Sequence, residues 1–244
     1  MDVKLEKDER LEDLQCKGLK IIQNKNYYTF TSDSVILANF IKLNNKDNCV
    51  EIGTGCGVIS VLLSAKTDFN KIIAFEIQSE MARIAEKNIL LNNLEEKIQV
   101  ISDDVRNYRQ HCKPESFDVV FSNPPYMRTG NSKNINESRN IARHDYSLPL
   151  DDLCKSAYGL LKFGGSFYVV YTAERTAELI DTLMSYSLEP KKMFFTENGK
   201  GKVILVVIEA VKGGKHGVEV LPHLETNDST GEYLKLLQTK YFGK

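Results

Sequence analysis

The chain has 244 residues, 42% of them hydrophobic and 27% charged, with a net charge of -1. That length suits one large α/β domain with a full core, and the neutral balance excludes a globally basic nucleic-acid binder, so any such surface must be local. Five scattered cysteines without a C-x-x-C pair suggest neither a zinc site nor a disulfide framework, and fit the reduced thiols of a cytoplasmic protein.

No apolar run approaches membrane-spanning length, and the opening MDVKLEKDERLEDL is too charged for a signal peptide. No membrane partner is expected. Residues 2–14 place Val3, Leu5, Leu11 and Leu14 loosely on one helical face, which reads as a surface helix or arm. In LKIIQ-NKN-YYTF, residues 19–30, two β-rich runs flank Asn24-Lys25-Asn26, the pattern of a small hairpin. Ser32 or Asp33 is a candidate N-cap for the apolar helix that follows.

From residue 48 strands and helices alternate. Strands are expected near 48–52, 71–76, 97–102, 117–122, 165–172, 191–196 and 203–209, with helices near 57–66, 79–92, 150–162 and 174–186. This predicts a doubly wound, mostly parallel seven-stranded α/β sheet covered on both faces. The last two strands lack a helix between them and read as an antiparallel edge pair turning at Asn198–Gly201. Three parts are expected: an extension over 1–47, a core domain over 48–210 and a completing tail over 211–244 with a short helix at 231–242.

CVEIGTGCGVISVLL, residues 49–63, ends a strand at Glu51-Ile52 and continues with Gly53, Gly55 and Gly57 before a helix. Such glycines let a ligand lie against the backbone, and the helix start offers unpaired amides. Position 58 is Val rather than the third glycine of a dinucleotide fingerprint. Glu51 would repel a pyrophosphate and attract a cationic ligand. Glu76 ends the next strand 23 residues after Gly53, the usual position of a ribose-binding carboxylate. Asp103 and Asp104 follow IQVIS, and either could accept from an adenine amino group.

FDVVFSNPPY, residues 117–126, is a buried strand that stops in a stiff turn. Pro124 and Pro125 fix their own φ angles and push their predecessors out of the helical region. An amide, Asn123, and a ring, Tyr126, are held at the strand's end. The polar stretch 127–149 is too long for a routine connection and reads as a binding loop. All these features converge on the carboxyl ends of the strands, where open α/β sheets bind ligands.

E-x-G-x-G-x-G at 51–57, Glu76, Asp104-Val105 and Asn123-Pro124-Pro125-Tyr126 resemble the Rossmann-like class I S-adenosylmethionine-dependent methyltransferases that act on amines. The opening GLKIIQNKNYYTFTSDSVILANF, Ala142-Arg143-His144-Asp145 and the tail VILVVIEAVKGGKHGVEVLPHL resemble the bacterial tRNA1(Val) (adenine(37)-N6)-methyltransferase family. Pro222-His223-Leu224 and Asp145 depart from its commoner Pro-Pro-Leu and Glu.

The resemblance implies an adenine beside the anticodon of a tRNA as substrate, and S-adenosylmethionine as methyl donor, leaving S-adenosylhomocysteine. It implies that Ser32 or Asp33 holds the methionine part, Glu51 the amino end, Gly53, Gly55 and Gly57 the backbone cradle, Glu76 the ribose, and Asp104 with Val105 the adenine. By the same resemblance Asn123, Pro124, Pro125 and Tyr126 would form the catalytic turn, and substrate contacts would fall to Tyr126, Arg128 and Arg143. Residues 106–145 carry seven Lys and Arg against four Asp and Glu, a local basic excess suited to RNA. The four histidines are dispersed, and no metal is expected. A monomer or weak dimer is anticipated.

Glutamine-N5 methylation of a release factor is the nearest alternative, but only about fifty residues precede the glycine loop, short for the helical domain such enzymes carry. Guanine-N2 methylation of rRNA remains open. DNA-adenine methylation lacks a target-recognition domain. A non-catalytic binder would not need the two rigid acceptors of Asn123 and Pro124.

Overall fold

In the computed structural model, residues 3–27, 29–125, 148–198 and 200–226 are described. Short β-branched runs alternate with helices from β3 (Asn48–Ile52) onward, and the runs pair in parallel because each helix returns the chain to the same end of the sheet. β3 is followed by α2 (Val58–Lys66), β4 (Lys71–Phe75), α3 (Ser79–Leu91), β5 (Ile98–Ile101), a 3-10 turn at Val105–Gln110 and β6 (Phe117–Ser122). After 126–147 come α4 (Leu150–Leu160), β7 (Leu161–Thr172), α5 (Thr176–Ser185), β8 (Leu188–Asn198) and β9 (Val203–Lys212). These seven strands match the expected sheet. Its order is β8-β9-β7-β6-β3-β4-β5, with β9 antiparallel to both β7 and β8. Two short strands, β10 (Glu219–Val220) and β11 (Leu224–Thr226), add to β8 in parallel and cover what would have been the edge. The expected tail helix at 231–242 lies outside the described residues.

Strand side chains alternate between two cores. Cys49, Ile72, Val119 and Phe121 pack under α2, α3 and α1 (Ser32–Phe40). Val50, Phe75, Val120 and Phe167 pack under α4 and α5. No described helix is long and apolar enough to cross a membrane.

The amino-terminal expectations need correction. Residues 9–13 form a strand, β1 (Glu9–Asp13), not a helix, and it pairs antiparallel with β2 (Lys20–Asn24). The hairpin turn lies across Leu14–Leu19, where Gln15, Lys17 and Gly18 have positive φ. Asn24-Lys25-Asn26 turns the chain after β2, and Lys25 N–H donates back to Asp8 O at 3.0 Å. Tyr27 and the described residues before α1 do not return as a strand. Ile21 and Ile22 of β2 are fully buried, so a strand neighbour on one side and α3 on the other suit it better than a free hairpin. Ser32 and Asp33 lie within the first turn of α1, and Thr31 stands at its N-cap without a side-chain bond.

Two asparagines four residues apart, Asn88 in α3 and Asn92 at its C-cap, dock β2. Asn88 Oδ1 accepts from Ile22 N–H at 2.6 Å, and its Nδ2 donates to Ile22 O at 2.9 Å and to Cys56 O at 2.8 Å. Asn92 repeats the pairing with Lys20 N–H and O at 3.0 and 2.8 Å. The amides satisfy backbone groups of β2 that face α3 instead of another strand. Asn88 is fully buried and also holds the glycine loop through Cys56. Asn88→Ala should lower stability by about 2–3 kcal/mol, because it strands a buried N–H and two carbonyls. Asn92→Ala, nearer solvent, should cost about 1 kcal/mol or less. Urea unfolding midpoints of the two variants test the ranking.

Candidate functional site

β3 is flanked by β4 on one side and β6 on the other, and the chain order reverses between β3 and β6. This is the switch point, where strand-end loops diverge and leave a crevice. Ile52 is level with both Phe75 and Ser122, and Phe75 with Ile101, so the four carboxyl ends finish together. Gly53 and Thr54 N–H both donate to Phe75 O at 2.9 Å, and Ser122 Oγ donates to Ile52 O at 2.8 Å. The crevice above them has about 900 Å³ of empty space including its open mouth.

Gly53 and Gly55 have φ of +72° and +58° and line this crevice. A Cβ at Gly53 would meet no atom within 4 Å, so backbone conformation and access for a ligand, not crowding, favour glycine there. Glu76 closes one side. Its Oε2 accepts from Gly55 N–H at 2.8 Å and its Oε1 from Gln78 N–H at 2.9 Å. It is 6% exposed, and burial pushes its carboxyl up against the opposing pull of the Gln78, Gly55 and Ile77 amides. Ile77, 48% exposed, offers an apolar surface beside it.

Asp103, Asp104 and Val105 form the next wall. Asp103 is held below the usual range by His111, then by Asn107 and the Asp104 N–H; its Oδ2 lies 2.6 Å from His111 Nε2. For Asp104, partial burial pushes up, but Arg106 outweighs it and the carboxyl is lowered. Arg106 occupies both Asp104 oxygens and reaches Asp152 at 3.1 Å.

Asn123 and Pro125 face the crevice, with Pro124 buried between them. Asn123 Nδ2 donates to Ser34 Oγ at 3.0 Å. Engaging the nitrogen leaves the amide oxygen as the acceptor at this end.

Several expected site residues stand apart from the crevice lining. Ser32 and Asp33 do not line it, whereas Ser34 and Phe30 do. Gly57 caps α2 at φ +85° and packs on α3, where a Cβ would lie 3.5 Å from Ala85 Cβ. Glu51 shares the face of Cys49 and turns beneath α2. Its Oε2 accepts from Thr54 Oγ1 at 2.8 Å and from Ser60 Oγ, while Oε1 has no partner among the described residues. It touches the lining through Thr54. Tyr126, Arg128 and Arg143 lie outside the described residues. Sequence reasoning missed Ser34, Thr54 and Gln78; the Thr-Ser-Asp-Ser run at 31–34 drew attention to the cap, and only the long-range bond to Asn123 singles out Ser34.

The sequence profile of the methyltransferase small domain family matches residues 29–198. The chain belongs to this family. Among its relatives, the tRNA1(Val) (adenine(37)-N6)-methyltransferase of Bacteroides fragilis is 26% identical over 93% of this chain and 96% of its own. The enzyme of the same name from Tolumonas auensis is 27% identical over 92% and 94%. Solved structures of similar fold include a predicted O-methyltransferase from Agrobacterium tumefaciens, with a TM-score of 0.65 at 18% identity over 84% of this chain and 94% of that one. Trm5 of Methanocaldococcus jannaschii, in complex with adenosine, has a TM-score of 0.62 at 16% identity over 87% and 59%. At these identities the solved structures show the fold alone.

Burial raises Glu51 from 4.5 to about 7, against the pull of Ser60 and Thr54. Between those values the folded state keeps a proton that the unfolded state releases, so stability falls as pH rises through that window. Glu51→Gln keeps an acceptor for Ser60 and Thr54 without the charge. It should stabilise the protein by about 2–3 kcal/mol at pH 8 and be nearly neutral at pH 4. Chemical denaturation at the two pH values measures the difference.

Proposed function

We propose that this protein transfers a methyl group from S-adenosylmethionine to the N6 amine of an adenine in tRNA, adenine 37 beside the anticodon of tRNA1(Val), as the names of its relatives state for them. The carrying observation is an amide acceptor fixed in orientation: Asn123, gripped by Ser34, beside the glycine loop of the switch-point crevice.

The residues present suit this donor. The unpartnered, buried Oε1 of Glu51 calls for a hydrogen-bond donor or positive charge, which an α-ammonium would bring. Glu76 retains lone pairs for two ribose hydroxyls beyond the two N–H bonds it accepts. An adenine ring would lie against Ile77 and Val105. Its amino group would donate to the acidic wall, where Asp103 Oδ2 keeps a spare lone pair while Arg106 fills both oxygens of Asp104. Asp104 then holds the wall's shape as much as it binds. Ser34 takes the role at the methionine end first assigned to Ser32 or Asp33.

When bound, S-adenosylmethionine supplies a methyl group already activated by its sulfonium. The remaining difficulty is the nucleophile, because the lone pair of an exocyclic purine amine is delocalised into the ring. Asn123 Oδ1 and the Pro124 carbonyl accept from the two amino hydrogens, favour a pyramidal nitrogen and localise the lone pair on it. Two consecutive prolines hold these acceptors without reorganisation. The chain's work is positioning and desolvation rather than acid–base chemistry. The target base must leave its stack to arrive, and Tyr126 would receive it with Arg128 and Arg143 on the adjoining phosphates.

Asn123→Ala should retain cofactor affinity, by calorimetry, and lose about 100-fold or more in methyl transfer to unmodified tRNA. Near-normal turnover would reject the role of the amide. Ser34→Ala frees the amide to rotate and should cost about tenfold in kcat, read in the same assay with mass-spectrometric mapping of the methylated nucleoside.

A further inference from the structure

β8 and β9 are longer than the strands that build the crevice, and their register shows where the extra length goes. Ser122 at the end of β6 is level with Val169 of β7. Thr172, three residues further along β7, is level with Leu205 of β9, and Leu205 pairs with Thr196 of β8. Val203 and Glu197 pair beyond that. The hairpin therefore continues about five residues, or about 16 Å, past the carboxyl end of β6, displaced sideways by two strands, about 10 Å. Its tip stands about 20 Å from the Asn-Pro-Pro turn, on the side toward which the crevice opens.

The projecting tip is stiffened. β11 pairs with β8 from Thr196 to Asn198, which makes the projection three strands wide. Asn198 Oδ1 accepts from the N–H groups of Lys200 and Lys202 at 3.1 and 3.0 Å, and Asn198 N–H donates to Lys202 O at 2.9 Å. Two lysines are thus presented on a fixed turn. Both are exposed, and neither takes part in an ion pair among the described residues. Lysines lower on the same hairpin are committed: Lys191 to the carbonyls of Lys215 and Gly217, Lys192 to Glu209. Phe194, Leu205 and Val207 keep the lower part of the hairpin in the core, and only its tip leaves it, where Val203 beside the turn is 40% exposed.

We infer that the β8–β9 hairpin is an RNA-binding arm, with Lys200 and Lys202 gripping backbone phosphates a few nucleotides from the target base. The inference rests on the tRNA reading above and names a surface for it. A flipped base fixed at Asn123 and a phosphate held about 20 Å away define two points on one RNA strand, which orients the loop over the crevice. Two compact ammonium groups suit phosphate oxygens and carry no sequence preference.

The test compares wild type, K200E/K202E and K200R/K202R on an unmodified tRNA transcript over a salt series. The glutamate variant should raise KM for tRNA about tenfold or more and flatten the slope of log affinity against log salt by about 1.4–1.8, the loss of two phosphate contacts. Its affinity for S-adenosylmethionine should stay within about twofold of wild type. The arginine variant should keep the wild-type KM and slope. A glutamate variant with unchanged KM and salt slope, beside an active wild type, overturns the inference alone. A wild type that methylates no tRNA overturns the functional reading and the inference with it.

Discussion

The parallel pairing of β3 with β6 governs the rest of the site, because it joins the glycine-loop side of the crevice to the Asn-Pro-Pro side. Ile52 and Ser122 are level and bonded through Ser122 Oγ, so the glycine loop and the Asn-Pro-Pro turn leave the sheet side by side. β4 supports the loop from the other flank with two N–H bonds to Phe75 O. A slip of one residue in this register would exchange the faces of every β6 side chain. Val119 and Phe121 would leave the α2 side, and Asn123 would lose Ser34. The position of Asn123 depends on a register set by apolar residues several positions upstream.

The acidic groups around the crevice divide by solvation. Glu51 and Glu76 lie inside, where burial favours their neutral forms, and each is held by donors that oppose this. Asp103 and Asp104 stand at the rim with His111 and Arg106 and stay ionised. Burial keeps the inner pair responsive to an incoming donor or cation, whereas the rim pair is already compensated. The cost of burying Glu51 with one oxygen unpaired among the described residues is the kind of local instability that a binding site retains and a purely structural core would not.

Docking of the amino-terminal hairpin belongs to the same design. Asn88 links Ile22 to Cys56, so the hairpin and the glycine loop share one buried side chain. The hairpin also carries the chain toward Phe30 and Ser34, which complete the crevice. An extension that reads as peripheral in sequence therefore leads into the residue that orients the Asn123 amide.

The core sheet was legible in the sequence because parallel strands buried on both faces are written as short apolar runs between helices, and their boundaries fall at glycines, acids and prolines. The Asn123 turn was legible because two prolines constrain the backbone locally, whatever surrounds them. The amino-terminal strand was not legible. Residues 9–13 have no strong strand pattern of their own, and they form one because β2 and α3 are already in place. Ser34 could not be chosen over Ser32 and Asp33, since an 89-residue contact decides it. Gly57 and Glu51 read as part of one glycine-loop cradle by spacing, yet Gly57 packs on α3 at Ala85 and the face of β3 turns Glu51 beneath α2, where it touches the lining through Thr54. The sequence by itself determined which elements form and which chemical groups stand at strand ends, because those follow from local propensity and periodicity. Tertiary structure alone decided which of those groups face the crevice and which become its support, because strand register and helix packing are long-range.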